Sequence, residues 1–187
     1  MKVLKFGGSS VGSANAINNV RHIVEGTQGP VIVVVSALGG VTDQLIRLTQ
    51  MAAKGNVGYT TEFNALTERH HQIVADVITA ERQARLIASL DALLAELHSI
   101  LHGVYLIQDL TPKIADAIVA YGERMSSLIV AELITDAVHF DARRLIRTEH
   151  GSAKHLVDFD KTSQLVIEAF AHDVPRVAVM GGFIASD

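Results

Sequence analysis

Pro30-Val31-Ile32-Val33-Val34-Val35-Ser36-Ala37-Leu38-Gly39-Gly40-Val41-Thr42-Asp43 is the stretch that decides the class of fold. Five consecutive β-branched residues without polar alternation make a strand that is apolar on both sides. That is the pattern of a parallel sheet covered by helices on each face. Pro30 introduces the strand, the glycine pair ends it, and a helix is expected from about Thr42 to Ala53. Open α/β sheets bind ligands beyond the carboxyl ends of their strands. Ser36 and Thr42 are therefore candidates to donate to a substrate carboxylate. Thr42 serves equally well as the N-cap of a helix beginning at Asp43, and a cap site is itself an anion site.

The N-terminal segment repeats the design. Residues 2–6 read as a strand that runs into Lys5-Phe6-Gly7-Gly8-Ser9-Ser10-Val11-Gly12, and a helix is expected from Ala14 to Glu25. Glycines allow backbone N–H groups to approach an anion, and the following helix N-terminus adds favourable partial charge. Lys5 stands where a mobile cation could meet phosphoryl oxygens. An ordinary tight turn with a solvated lysine fits the same residues. Glycines 7, 8 and 12 fit neither the Walker A spacing nor GxGxxG, which argues against P-loop and Rossmann readings. Residues 1–50 carry net charge +2, against −4 for the whole chain, a weak point in favour of anions here.

Further along, Gly55 to Thr61 reads as a connection between helices. Two amphipathic stretches follow, with stripes Phe63, Leu66, His70, Ile73, Val77 and Leu86, Leu90, Leu93, Leu97, Ile100. Thr111-Pro112 is a helix start, a hydroxyl N-cap with proline at the first helical position. That helix should run to about Asp136 and break near Tyr121-Gly122-Glu123. A glycine inside a helix costs about 1 kcal/mol against alanine, so packing or a close ligand must justify it. Glu123 could pair with a substrate ammonium group, or simply be a first-turn acid with Arg124 a solvated neighbour. Strands are expected at Ala137–Phe140 and Arg176–Met180, with a helix between them over Thr162–Ala171. The whole gives an α/β sandwich with a mostly parallel sheet and a helical block from 59 to 136 covering it.

Composition bounds the rest. The chain has 187 residues, 49% hydrophobic and 19% charged, which excludes a disordered tail. With no cysteine, thiolate chemistry, disulfides and Cys-ligated metal are excluded. A slightly acidic balance invites neither nucleic acid nor an anionic membrane surface. The N-terminus does not read as a signal peptide, and no apolar run approaches the roughly 20 residues of a membrane span. His98 and His102 have helical metal-ligand spacing but no matching carboxylate, and no metal site is expected there. Asp141-Ala142-Arg143-Arg144 reads as an ion-paired turn after a strand.

Five ordered motifs carry a family resemblance: KFGGSSV, SALGGVTD, YGERMSS, FDARRLIRT and GGFI. Together they resemble aspartokinase, and the stretch from His102 to Ser127 resembles the kinase half of bifunctional aspartokinase–homoserine dehydrogenases. The resemblance implies the amino acid kinase fold and transfer of the ATP γ-phosphoryl group to the side-chain carboxylate of L-aspartate, the committed step towards lysine, threonine and methionine. By motif, Lys5, Phe6, Gly7, Gly8 and Ser9 would hold the phosphates, with Lys5 also stabilising charge in the transition state. Ser36, Thr42 and Glu123 would hold aspartate, Glu123 at its amino group. Asp141, Arg143 and Phe183 are second-tier candidates. ATP with Mg²⁺ would be the cofactor, the compartment the cytoplasm, and the full-length protein a homo-oligomer.

The last residues, VAVMGGFIASD, read as a strand entering a turn, where the family continues into a GRGGSD-type segment and an adenosine-binding half. Residues 1–187 are therefore expected to form the N-terminal, substrate-side part of a catalytic domain. Such a part is expected to be inactive alone and to self-associate through apolar surface at the last strand. Kinases of the same fold acting on glutamate, acetylglutamate, carbamate or a nucleoside monophosphate are the alternatives, as is a non-catalytic aspartate-binding module.

Overall fold

A computed structural model describes residues 1–149, 156–171 and 174–186, so Asp187 at the end of the last quoted segment lies outside the described residues. Four parallel strands form one sheet in the order β1-β2-β4-β3. They are β1 (Lys2–Phe6), β2 (Val31–Val35), β3 (Ala137–His139) and β4 (Val177–Gly181). Seven helices accompany them among the described residues: α1 (Ala14–Glu25), α2 (Val41–Ala53), α3 (Tyr59–Val77), α4 (Ala80–Ile107), α5 (Pro112–Val119), α6 (Tyr121–Leu133) and α7 (Phe159–Phe170).

The alternating pleat of β2 sorts the core. Val31, Val33 and Val35, with Val177 and Val179 of β4, join one large cluster with α1 to α6. α6 lies directly against β2, β3 and β4, with the long α3 and α4 stacked outside it. The opposite face is covered more thinly. Ile32, Val34 and Met180 pack with Phe140, Val166 and Phe170, the last two from α7, which has no fully buried residue. β4 is buried along its whole length because it lies between β2 and β3. The expectation of apolar surface exposed at the last strand is therefore overturned. The strand itself is covered; exposed apolar side chains lie on edge strand β1 (Val3), on α4 (Leu106, Ile107), on α7 (Phe159, Ile167) and just past β4 at Phe183.

Local signals were mostly obeyed. Thr111 caps α5 by accepting from the Ile114 N–H, with Pro112 at the first helical position. The expected interruption falls at Ala120, between α5 and α6. α3 begins at Tyr59, inside the segment 55–61 read as a connection; Asn56 accepts from the Gly58 N–H and closes that loop early. On α4 the buried stripe is Leu86, Leu90, Leu94, Leu97, Leu101 and Val104, so Leu93 and Ile100 stand at its margin. By length and composition this 28-residue helix could cross a membrane, a match that inspection of apolar runs alone overlooks. Its buried stripe packs against α2, α3 and α6.

Candidate active site

The carboxyl ends of the strands gather the candidate residues. After β1 the chain makes a 3-10 turn over Gly8–Val11, and after β2 it makes the Ser36–Gly40 turn into α2. The two turns interlock. A Cβ on Gly8 would lie 3.3 Å from the Ala37 carbonyl, and one on Gly39 would lie 3.1 Å from the Gly8 carbonyl. Only glycine lets the two backbones approach so closely. Gly40 takes a left-handed conformation, φ +80°, as the N-cap of α2. Thr42 thus lies inside the first turn of α2, and the expectation that it caps a helix beginning at 43 is corrected: the glycine turn bends the chain two residues earlier.

Glu123 forms the floor of this region. It stands in the first turn of α6, only 8% exposed, and its Oε1 accepts a 3.2 Å hydrogen bond from the Ala37 N–H. Burial pushes its carboxyl above the ordinary glutamate range, opposed in part by the Ala37 hydrogen bond. It is therefore more than a dipole-favoured surface acid. Ser126, one turn on, donates to the Ser36 carbonyl at 2.7 Å, so α6 holds both residues that follow β2. Gly122 has a packing reason rather than a ligand: its Cβ would lie 2.7 Å from the Ala37 Cβ. On the far side a Cβ at Gly181, the end of β4, would lie 3.0 Å from the Glu123 Cβ.

The rim is more open. Lys5 and Ser9 are exposed, Phe6 is half-buried beneath them, and Ser36 and Thr42 are half-buried. The Lys5 Nζ stands 4.7 Å from the centroid of the Phe183 ring, which follows β4. After β3, Asp141 and Arg143 form the expected ion pair, with Nη2 to Oδ2 at 2.6 Å. That contact holds the Asp141 carboxyl below its usual range. They line a cavity of about 520 Å³ with Arg124, Ser127, His139 and Gly181. Asp141 and Arg143 are thus beside the Glu123 floor, on the β4 side away from the glycine turns.

Two features escaped the sequence. Arg69 of α3 donates to the Gly39 carbonyl at 2.6 Å, bracing the glycine turn from 30 residues away. Arg124, read as solvated, is nearly buried, bonded to Glu96 at 3.1 Å and stacked 4.2 Å above the Tyr121 ring. Nothing local announces the Arg69 or the Glu96 contact: one ties α3 to the glycine turn, the other ties α6 to α4. His98 and His102 stack on each other, and the Tyr59 hydroxyl lies 3.3 Å from the His102 Nδ1. No group of three or more potential metal ligands occurs among the described residues.

The profile of the amino acid kinase family matches residues 1–187, the whole chain. The chain belongs to the amino acid kinase family. Its fold matches a crystal structure of E. coli aspartokinase III in complex with aspartate and ADP, with TM-score 0.83 and 24% identity, covering all of this chain and 42% of that one. The lysine- and aspartate-bound form of the same enzyme gives 0.85. Among sequence relatives, the bifunctional aspartokinase/homoserine dehydrogenase of Daucus carota is 29% identical over 188 residues, covering 97% of this chain and 20% of that protein. The aspartokinase of Candida albicans is 30% identical over 142 residues, covering 72% of this chain and 26% of that protein. The chain thus spans between a fifth and a quarter of these relatives' length.

Proposed function

We propose that this member of the amino acid kinase family is the substrate-side part of an aspartokinase. The observation that carries the reading is Glu123, a buried carboxylate with no cation beside it among the described residues, set between the turns that end β2 and β4. A site built this way demands a positive group from its ligand, and an α-ammonium supplies it. Ser36 and Thr42, at the start of α2, would take the α-carboxylate. The glycine turn over Gly7, Gly8 and Ser9 would cradle the phosphates through backbone N–H groups, with Phe6 supporting it from below. The names of the relatives support aspartate as the amino acid, and the ADP bound to E. coli aspartokinase III supports an adenine nucleotide as the donor.

In the reaction a side-chain carboxylate oxygen of aspartate attacks the γ-phosphorus, the bond to the bridging oxygen breaks, and ADP leaves with that electron pair. The carboxylate is already ionised, so no general base is required. Positioning and charge stabilisation suffice, and Lys5 would supply the cation for the phosphoryl oxygens. Mg²⁺ would arrive on the phosphates, keeping several waters and neutralising part of their charge. Asp141 and Arg143 would border the aspartate side, and the adenosine would be held outside residues 1–187.

Titration calorimetry with L-aspartate and L-glutamate tests the reading. Aspartate should bind at least tenfold more tightly. Equal affinity for glutamate would remove the case for an aspartate-specific site.

A further inference from the structure

Phe183 is the most exposed large apolar side chain among the described residues, at 91%. Its backbone adopts φ +56°, the left-handed region that a side chain with a Cβ disfavours. The residue therefore gives the core almost nothing while its backbone is strained and its ring is left in water. Non-glycine residues held this way cluster at functional sites.

What the ring touches is Lys5, whose Nζ stands 4.7 Å from its centroid. Lys5 belongs to β1 and Phe183 follows β4, with β2 between the two strands. The lysine side chain therefore reaches across the end of β2 to the residues that follow β4. Among the described residues its ammonium pairs with no carboxylate. That choice of partner has a chemical consequence. A carboxylate would fix the flexible lysine stem but neutralise its charge. An aromatic face holds the ammonium through its quadrupole and leaves the full positive charge available to an anion.

We propose that Phe183 is a positioning residue: its ring holds the Lys5 ammonium over the carboxyl end of β2, ready for phosphoryl oxygens. The proposal rests on the reading of Lys5 as the phosphate-binding cation. Its ligand is the polyphosphate chain of a nucleoside triphosphate, and the ring acts only through Lys5.

The test uses the 187-residue chain, with inorganic tripolyphosphate and Mg²⁺ as probe, and compares wild type, Phe183→Leu, Phe183→Trp and Lys5→Ala. A second series carries one, two or three fluorines on the Phe183 ring, which withdraw its quadrupole at nearly constant shape. Phe183→Leu should weaken tripolyphosphate binding about two- to fivefold, the size of an exposed cation–π contact. Phe183→Trp should restore it, and each added fluorine should weaken it further. In NMR spectra the Lys5 ε-methylene protons should be shifted upfield by the ring in wild type and lose that shift in Phe183→Leu. Unchanged affinity in Phe183→Leu, no trend with fluorination, or no ring-current shift overturns the proposal. Lys5→Ala separates it from the reading beneath it. Binding lost in Lys5→Ala but unchanged in Phe183→Leu sinks the role of Phe183 alone. Binding unchanged in Lys5→Ala, or absent from wild type, sinks the phosphate reading of Lys5 and this proposal with it.

Discussion

Replacing Glu123 by glutamine changes one atom and separates stability from binding. The amide keeps an oxygen to accept from the Ala37 N–H, so the 3.2 Å contact survives. What disappears is a charge in a site 8% exposed, for which burial is the largest influence and no cationic neighbour contributes. Because the folded-state pKa is raised, the folded protein binds the proton more tightly than the unfolded chain. Glu123 therefore costs stability as pH rises through the raised pKa, and costs nothing below the unfolded value near 4.5. Glu123→Gln should be as stable as wild type or more so in urea titrations at pH 7, with the difference vanishing at pH 4. Ligand binding should move the other way. Truncating one partner of a buried charge pair costs about 2–5 kcal/mol, so aspartate affinity should fall at least about thirtyfold. Succinate, which lacks the ammonium, supplies the control: its affinity should hold or rise, because the substitution removes a buried carboxylate that succinate leaves unpaired. A variant that unfolds more easily at pH 7, or that binds aspartate like wild type, refutes the reasoning.

Gly122→Ala should destabilise by about 1–3 kcal/mol in urea unfolding despite alanine's better helix propensity, because its Cβ would meet the Ala37 Cβ at 2.7 Å. His70 is fully buried; its Nδ1 lies 2.8 Å from the Leu66 carbonyl, its Nε2 has no partner among the described residues, and burial lowers its pKa to about 4. It stays neutral in the fold, so stability is lost as pH falls from 6.5 through about 4. The loss should be about 2 kcal/mol by pH 5, and His70→Leu should flatten that limb of a urea-versus-pH series. Thr111→Ala removes the cap on the Ile114 N–H and should lower stability by about 1 kcal/mol, read from the urea midpoint.

The strands were legible because their chemistry is local. Val31 to Val35 can be little other than a doubly covered strand, and the Thr-Pro pair at 111–112 announces a helix in two residues. The position of β4 between β2 and β3 was not legible, since strand order depends on where the long helical connection returns the chain. The last strand, read as unfinished, was expected to expose apolar surface; flanked by β2 and β3 it is buried, and the exposed Phe183 lies just beyond it. At the site, the glycine turns were visible as spacing, and Glu123 as an acid beside a helical glycine. Its burial was not visible, because it depends on Ala37, 86 positions away. Thr42 illustrates a narrower failure: a threonine before an aspartate looks like a cap, but φ +80° at Gly40 starts the helix sooner.

The arrangement divides into a floor and a rim, with different consequences for change. α6 makes the floor by three contacts within five residues: Gly122 against Ala37, Glu123 to the Ala37 N–H, and Ser126 to the Ser36 carbonyl. Each binds the helix to the turn that ends β2, so a change on this face alters the core and the ligand site together. On the proposed reading, specificity for the amino acid is built into the same packing that closes the fold, and it should be costly to alter by single substitutions. Lys5, Ser9 and Phe183 make the rim; they are exposed and contribute little to the core. Substitutions there should change phosphate affinity while leaving the urea midpoint in place. A buried charge needs a rigid surround to remain poised for its partner, whereas a lysine that must follow a moving phosphoryl group needs a soft one. The division matches those two requirements if, as proposed, the rigid part lies under the amino acid and the adaptable part over the phosphates.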